Sequence, residues 1–461
     1  MISIALDQST SATKALLVDE LGGVIASASR SHQQRYPQAG WVEHDAEEIW
    51  QNTLDVIAEL LKDWQGEAPS FLSITNQRET TVIFEKGSGR PLRTAIVWQC
   101  LRSSDICSRM KHEGLEEAIE RTTGLKLNPY FSGSKLAWIL ENDPDTADHL
   151  RKGNALFGTI DSYLIYRLTN GQVHATDPTN ASRTLLMDLA TQSWSQSMTD
   201  LFEVQSGWLP EIRSCDSLFG ETTLGGLLQK PIPICGVMGD AQAALLAQKC
   251  LNPGEAKATL GTGTFLLVQA GEEVPPAGSP LLSSVAWKLR GRVSYCLEGL
   301  AYISGAAMVW LRDQAELISS LEEAEKLASS VESAEGVYLV PAFTGLGPPS
   351  WKAGARAALM GMTLGTTRAH MMRAAYESFA YPVRDQLEAI EAAGIKTASL
   401  KLDGGASANS RLVQIMADLC QVPMIACPDS NASALGAWSA GMIGMRSELS
   451  LRDLPDRGGQ L

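Results

Sequence analysis

The fourteen residues Met1 to Lys14 (MISIALDQSTSATK) constrain the fold most, because their pattern returns in mid-chain. Ile2, Ile4 and Leu6 form an apolar run short enough for a buried strand. From Asp7 the chain turns small and polar through Ser9, Thr10, Ser11 and Thr13, and after Lys14 it is apolar again at Ala15, Leu16, Leu17 and Val18. This predicts a strand, a hydroxyl-rich turn and a second strand. Such a turn offers backbone N–H groups and hydroxyls to an anion, and a carboxylate at the strand end can hold Mg²⁺ directly or through water. An ordinary hairpin with an Asp at its mouth has the same pattern. The second copy begins at Pro231 to Met238, an apolar strand ending at Gly239-Asp240 and followed by a small-residue helix over Ala241 to Gln248. Ala256 to Ala270 (AKATLGTGTFLLVQA) is then strand, Gly-Thr-Gly-Thr turn, strand. Pro and Gly gather between them at Leu251-Asn252-Pro253-Gly254, where we set a domain boundary. Two hairpins of one design predict an α/β chain of two duplicated domains, residues 1–250 and 251–461, facing each other.

At 461 residues and 44% hydrophobic, the chain exceeds one ordinary core, in keeping with two domains. A net charge of −14 without long runs speaks against a nucleic-acid or anionic-membrane partner. Phosphate would have to be met by backbone, metal and a few side chains. The eight cysteines include no C-x-x-C pair and suit reduced thiols in a cytoplasm. Neither a signal peptide nor a membrane span is expected, since no charged leader precedes the opening strand and no run of eighteen apolar residues occurs. Walker A, G-x-G-x-x-G, G-x-S-x-G and H-E-x-x-H patterns are absent and the six histidines are scattered, so hydrolase and zinc readings fall.

Elsewhere, polar groups cluster where strands end. Asn76-Gln77-Arg78-Glu79-Thr80 follows an apolar strand over Phe71 to Ile74, and Gln99 to Arg102 follows another over Ala95 to Trp98. A ligand crevice places polar groups so, and solvated turns do too. Asp45, with Glu48 three residues on, predicts the start of an amphipathic helix. Asn128 to Gly133 puts Tyr130 in a Pro/Gly-bounded loop, as lid or as plug. Leu400 to Asn409 (LKLDGGASAN) reads as strand, Gly-Gly turn and helix start; a ring or phosphate can approach such a backbone closely, and a helix-capping turn looks the same. Ala434 to Gly444, rich in Gly and Ala, predicts a closely packed final helix.

Taken together these stretches resemble the FGGY carbohydrate kinases, nearest to the members that phosphorylate glycerol. LDQSTSATKA, GWVEHD, ITNQRET, IVWQC, NPYFSG, FGTID, TNASRT, GTGTF, WLRD, VPAFTGLG, LDGGASAN and ALGA stand in family order over almost the whole chain. The resemblance implies two ribonuclease-H-like domains of the actin/hexokinase type around a deep interdomain cleft, and transfer of the γ-phosphoryl of MgATP to a small polyol. It makes Asp240 the general base and Arg78, Glu79, Trp98, Tyr130, Asp240 and Phe265 the polyol pocket. Thr10, Ser11, Lys14 and Thr262 would hold phosphates, Asp7 would act near Mg²⁺, and Gly305, Gly405 and Asn409 would border the adenosine. A homo-oligomer, dimer or tetramer, stays open. Departures from the family pattern are Ala241 in place of Gln after the catalytic Asp, Lys14 in place of Arg, Val309 in place of Gln, Lys352 in place of Asp and Ser9 in place of Gly. The Gly-Gly-Thr-Arg loop that binds a sugar bisphosphate in some members is here Leu228-Gln229-Lys230-Pro231. Two alternatives are a kinase for a four-carbon polyol or a ketose, and a non-catalytic nucleotide-dependent sugar-binding regulator.

Overall fold

The computed structural model describes residues 1–352, 354–427 and 429–456. In the first half, β1 (Ile2–Gln8), β2 (Ala12–Asp19), β3 (Val24–Ser31), β4 (Leu72–Asn76), β5 (Leu218–Thr222) and β6 (Ile232–Gly239) build one sheet in the order 5-6-4-1-2-3. The second sheet holds β7 (Glu255–Leu260), β8 (Thr264–Gly271), β9 (Leu282–Leu289), β10 (Arg292–Ala301), β11 (Ser399–Asp403) and β12 (Met424–Ala426), in the order 9-10-8-7-11-12. Without the edge strands β5 and β9, both sheets have one design: a three-stranded antiparallel meander followed by two parallel strands. The duplication expected from the hairpins therefore extends to whole sheets. Parallel strands need cover on both faces, which is why β1 reads as a continuous apolar run, with Ile4, Ala5 and Leu6 all at 0% exposure.

Helix α1 (Ala46–Lys62) starts where Asp45 accepts a hydrogen bond from the Glu47 N–H, and it buries Ile49, Val56, Ile57 and Leu60. Helix α2 (Ile160–Leu168) packs in the same layer. Helix α3 (Asp240–Ala247) begins at the residue after β6, with no loop between. In the second half, α4 (Gly305–Asp313), α5 (Arg368–Ala392) and α6 (Ser410–Cys420) share the core of the second sheet.

Helix α7 (Ala432–Met445) follows β12 in the chain but packs on the first sheet. Its Leu435, Trp438, Met442 and Ile443 cover Ala5, Leu16, Val18 and Phe71, and the Trp438 indole N–H donates to Ser3 Oγ at 2.9 Å. The Gly/Ala composition has a local reason: a Cβ on Gly436 would lie 1.8 Å from the carbonyl oxygen of Ala243 in α3. A boundary at 251 follows chain order, whereas α7 lies with the first half. All eight cysteines are buried and none is in a disulfide among the described residues, where no helix is long and apolar enough to cross a membrane.

Candidate active site

The two sheets meet around a cavity of about 370 Å³. Thr10, Arg78, Glu79, Trp98, Tyr130 and Asp240 reach it from the first half; Lys257, Thr259, Phe265, Asp403 and Gly404 reach it from the second. Asp240 is the first residue of α3, so the backbone of β6 fixes its position and the helix N-terminus favours its charge. Its Oδ1 accepts a hydrogen bond from the Ala241 N–H at 2.7 Å and lies 3.6 Å from Arg78 Nε. Burial pushes its carboxyl above the ordinary aspartate value, against the pull of Arg78, which makes it a stronger proton acceptor when ionised.

Arg78 and Glu79 follow the end of β4 and are buried. Glu79 adopts φ +62°, a left-handed conformation that costs a non-glycine residue energy and marks a position held by its surroundings. Arg183 holds it, donating from Nε to Glu79 Oε1 at 2.6 Å. Aromatic rings form the opposite wall. Trp98 stands 5.3 Å from Tyr130 and 6.2 Å from Phe265, centroid to centroid, and its indole N–H donates to Thr10 Oγ1 at 3.0 Å. A polyol has hydroxyls on one side and C–H groups on the other, and this cavity offers ionic groups to the first and ring faces to the second.

Seven of the residues singled out in the sequence thus come together: Thr10, Arg78, Glu79, Trp98, Tyr130, Asp240 and Phe265. Asp7, Ser11, Lys14, Thr262, Gly305, Gly405 and Asn409 do not line the cavity. Lys14 Nζ donates to Asn431 Oδ1 at 3.0 Å, tying the first hairpin to the start of α7. Thr262 is exposed at the tip of the second hairpin. Gly305 lets α4 approach that hairpin, since a Cβ there would meet the Gly261 carbonyl oxygen at 2.5 Å. Asn409 caps α6, accepting from the Leu412 N–H at 2.9 Å and donating to Glu325 and to the Tyr376 hydroxyl. Of the glycine pair after β11, Gly404, at φ +87°, is the one that borders the cavity; Gly405 is exposed beside it.

Four charged residues escaped the sequence reading: Arg183, Lys257, Glu298 and Asp403. Lys257, 2% exposed, donates to Thr259 Oγ1 at 2.7 Å and lies 3.6 Å from Asp403 Oδ2, which accepts from Gln248 Nε2 at 2.5 Å. A lysine or glutamate inside an apolar strand, as at Lys257 of β7 and Glu298 of β10, was the available signal.

Asp7 is the last residue but one of β1, and its carboxyl is pushed up to about 7 by burial and then by the charge of Asp240, with Lys14 opposing. A cation beside Asp7 would relieve that cost. Among the described residues no group of three or more His, Cys, Asp or Glu side chains could hold a metal. A single carboxylate so placed suits a hard ion that keeps water as most of its ligands.

The chain belongs to the FGGY family of carbohydrate kinases: the model of the family's N-terminal domain matches residues 2–247 and that of its C-terminal domain residues 256–445. Among its relatives, a glycerol kinase of Desulforamulus reducens is 46% identical over 443 residues, covering 95% of this chain and 88% of that one. A glycerol kinase of Desulfitobacterium hafniense is 45% identical over 456 residues, 98% of this chain and 92% of the relative. The crystal structure of Plasmodium falciparum glycerol kinase with ADP superposes with a TM-score of 0.92 at 34% identity, over 98% of this chain and 91% of that one.

Proposed function

We propose that the protein transfers the γ-phosphoryl group of ATP to a hydroxyl of glycerol, giving glycerol 3-phosphate and ADP. Asp240 carries this reading: an acidic side chain set by a strand–helix junction at the floor of a cavity with one ionic and one aromatic wall. Relatives named glycerol kinase, 44–46% identical over at least 94% of the chain, support glycerol as the acceptor. Glycerol hydroxyls would meet Arg78, Glu79 and Asp240, with the carbon chain against Trp98, Tyr130 and Phe265. Asp240 accepts the proton of the attacking hydroxyl as its oxygen bonds to phosphorus and the bond to the ADP oxygen breaks.

In this reading residues 1–250 present the polyol and residues 251–461 the nucleotide, on ribonuclease-H-like domains of the actin/hexokinase type. Thr10, Ser11, Lys14 and Thr262 converge on the phosphates; Gly305, Gly405 and Asn409 border the adenosine. Asp7 would hold Mg²⁺, which when bound offsets phosphate charge. Eight buried cysteines outside any disulfide suit a cytoplasmic enzyme. A second reading, a kinase for a four-carbon polyol, rests on Ala241, whose small side chain lines the cavity. Coupled ADP release with glycerol, erythritol, threitol and a ketopentose tests these readings. Glycerol-dependent release supports the first, and ATP turnover indifferent to any polyol would point to a nucleotide-driven regulator.

A further inference from the structure

Behind the cavity lies a buried charge cluster whose centre, Glu298, comes from the second half although the arginines around it belong to the first. Glu298 sits on β10 and is 4% exposed. Arg78 Nη1 donates to both its oxygens, at 3.1 and 3.0 Å, and Arg183 Nη1 lies 3.1 Å from Oε1. Ser284 Oγ of β9 also donates to Oε1, and Gln242 Nε2 of α3 does so at 3.3 Å. Gln242 Oε1 in turn accepts from Arg78 Nη1 at 3.0 Å. Nη1 is thus fully occupied, whereas Nη2 has no hydrogen-bond acceptor among the described residues and Nε lies 3.6 Å from Asp240, beyond hydrogen-bond distance.

We infer that Glu298 is a positioning residue for the polyol subsite: by holding Arg78 through one nitrogen, it keeps the other N–H groups turned to the substrate and short of a hydrogen bond to Asp240. The inference rests on the polyol-kinase reading. The charges show why an acid is needed here. Arg78 and Arg183 face three carboxylates; they hydrogen-bond Glu79 and Glu298, and Asp240, 3.6 Å from Arg78 Nε, is the one that neither arginine hydrogen-bonds. Without the negative charge at position 298, the nearest carboxylates for Arg78 are Glu79 and Asp240, and a guanidinium closed onto Asp240 would leave the polyol hydroxyls unmet and occupy the base. Because the holding group is on the second sheet and the held group on the first, the polyol subsite is complete only when the two halves are in register.

The test is Glu298→Gln, which keeps the shape and one acceptor but removes the charge, compared with wild type by calorimetric titration with glycerol and by steady-state kinetics. The expected result is glycerol affinity weaker by about tenfold or more and a matching rise in its KM, as loss of a charge-assisted hydrogen bond gives. The KM for ATP should stay within about twofold, because Arg78 hydrogen-bonds Gln242 and Glu298 and none of the residues proposed for the nucleotide. A purely structural role would lower the active fraction, and so kcat, while leaving the glycerol KM alone. Adding Glu298→Gln to Arg78→Lys should cost little beyond Arg78→Lys itself, since one residue acts through the other. Should Glu298→Gln fail to fold, Ser284→Ala, which removes only the hydroxyl on Oε1, should raise the glycerol KM by about threefold. Unchanged glycerol affinity in these variants, with normal binding by wild type, overturns the inference alone. Absence of polyol binding by wild type overturns it together with the proposed function.

Discussion

Asp240 owes its place to a junction in which a strand passes directly into a helix, so its carboxylate is aimed by backbone geometry rather than by a loop. Asp240→Asn should keep the fold and ATP binding but lower kcat by about 10²–10⁴-fold, because the amide fills the space without accepting a proton. Turnover within a few-fold of wild type would take Asp240 out of the base role. The next residue, Ala241, lines the same cavity. A glutamine there would fill space and supply an amide to a terminal hydroxyl, worth about 1–3 kcal/mol where the hydroxyl would otherwise lack a partner. Ala241→Gln should therefore raise kcat/KM for glycerol relative to erythritol and threitol. Identical ratios in the two proteins would show that position 241 does not choose the substrate.

At the scale of elements, the two hairpins were legible because each is local: an apolar strand, a polar or glycine turn and a second apolar strand within about fifteen residues. The same holds for Asp45 at the start of α1 and for the glycine turn before α6. Contacts made across long separations were not legible. Arg183 meets Glu79 from 104 residues away and Arg78 meets Glu298 from 220, and no spacing rule links such positions. Asn409 combines both kinds: its cap on the Leu412 N–H is local, whereas its bonds to Glu325 and to the Tyr376 hydroxyl cross separations that no spacing rule covers. The small residues of α7 announced close packing but not the surface packed against. Gly436→Ala tests that contact. Its methyl would collide with the Ala243 carbonyl, a backbone atom that moves only with α3, so a loss of about 1–3 kcal/mol is expected. Because α3 carries Asp240, kcat should fall as well. A variant with wild-type melting temperature and kcat would mean that the two helices are not seated as described.

For the whole molecule, the charged lining of the cavity sets one cation from each half, Arg78 and Lys257, among Glu79, Asp240, Asp403 and Asp429. In the proposed reading a triphosphate entering so acidic a space is met by both hairpin turns, at Thr10 and at Thr262. Glycerol with a non-hydrolysable ATP analogue should therefore draw the halves together and reduce the radius of gyration in small-angle scattering. An unchanged profile at saturation would indicate an enzyme already closed. The path of α7 has a consequence for how the protein is made. On the ribosome, the first sheet emerges long before the helix that covers Ala5, Leu16, Val18 and Phe71. A nascent chain must carry that apolar face uncovered until Ala432 to Met445 have been translated. Residues 1–250 expressed alone should aggregate, and co-expression with 251–461 should return them to solution; a soluble, cooperatively melting 1–250 fragment would refute this. Premature termination before α7 would thus leave a product that chaperones and proteases can recognise by its open face, so that translation itself certifies the enzyme as complete.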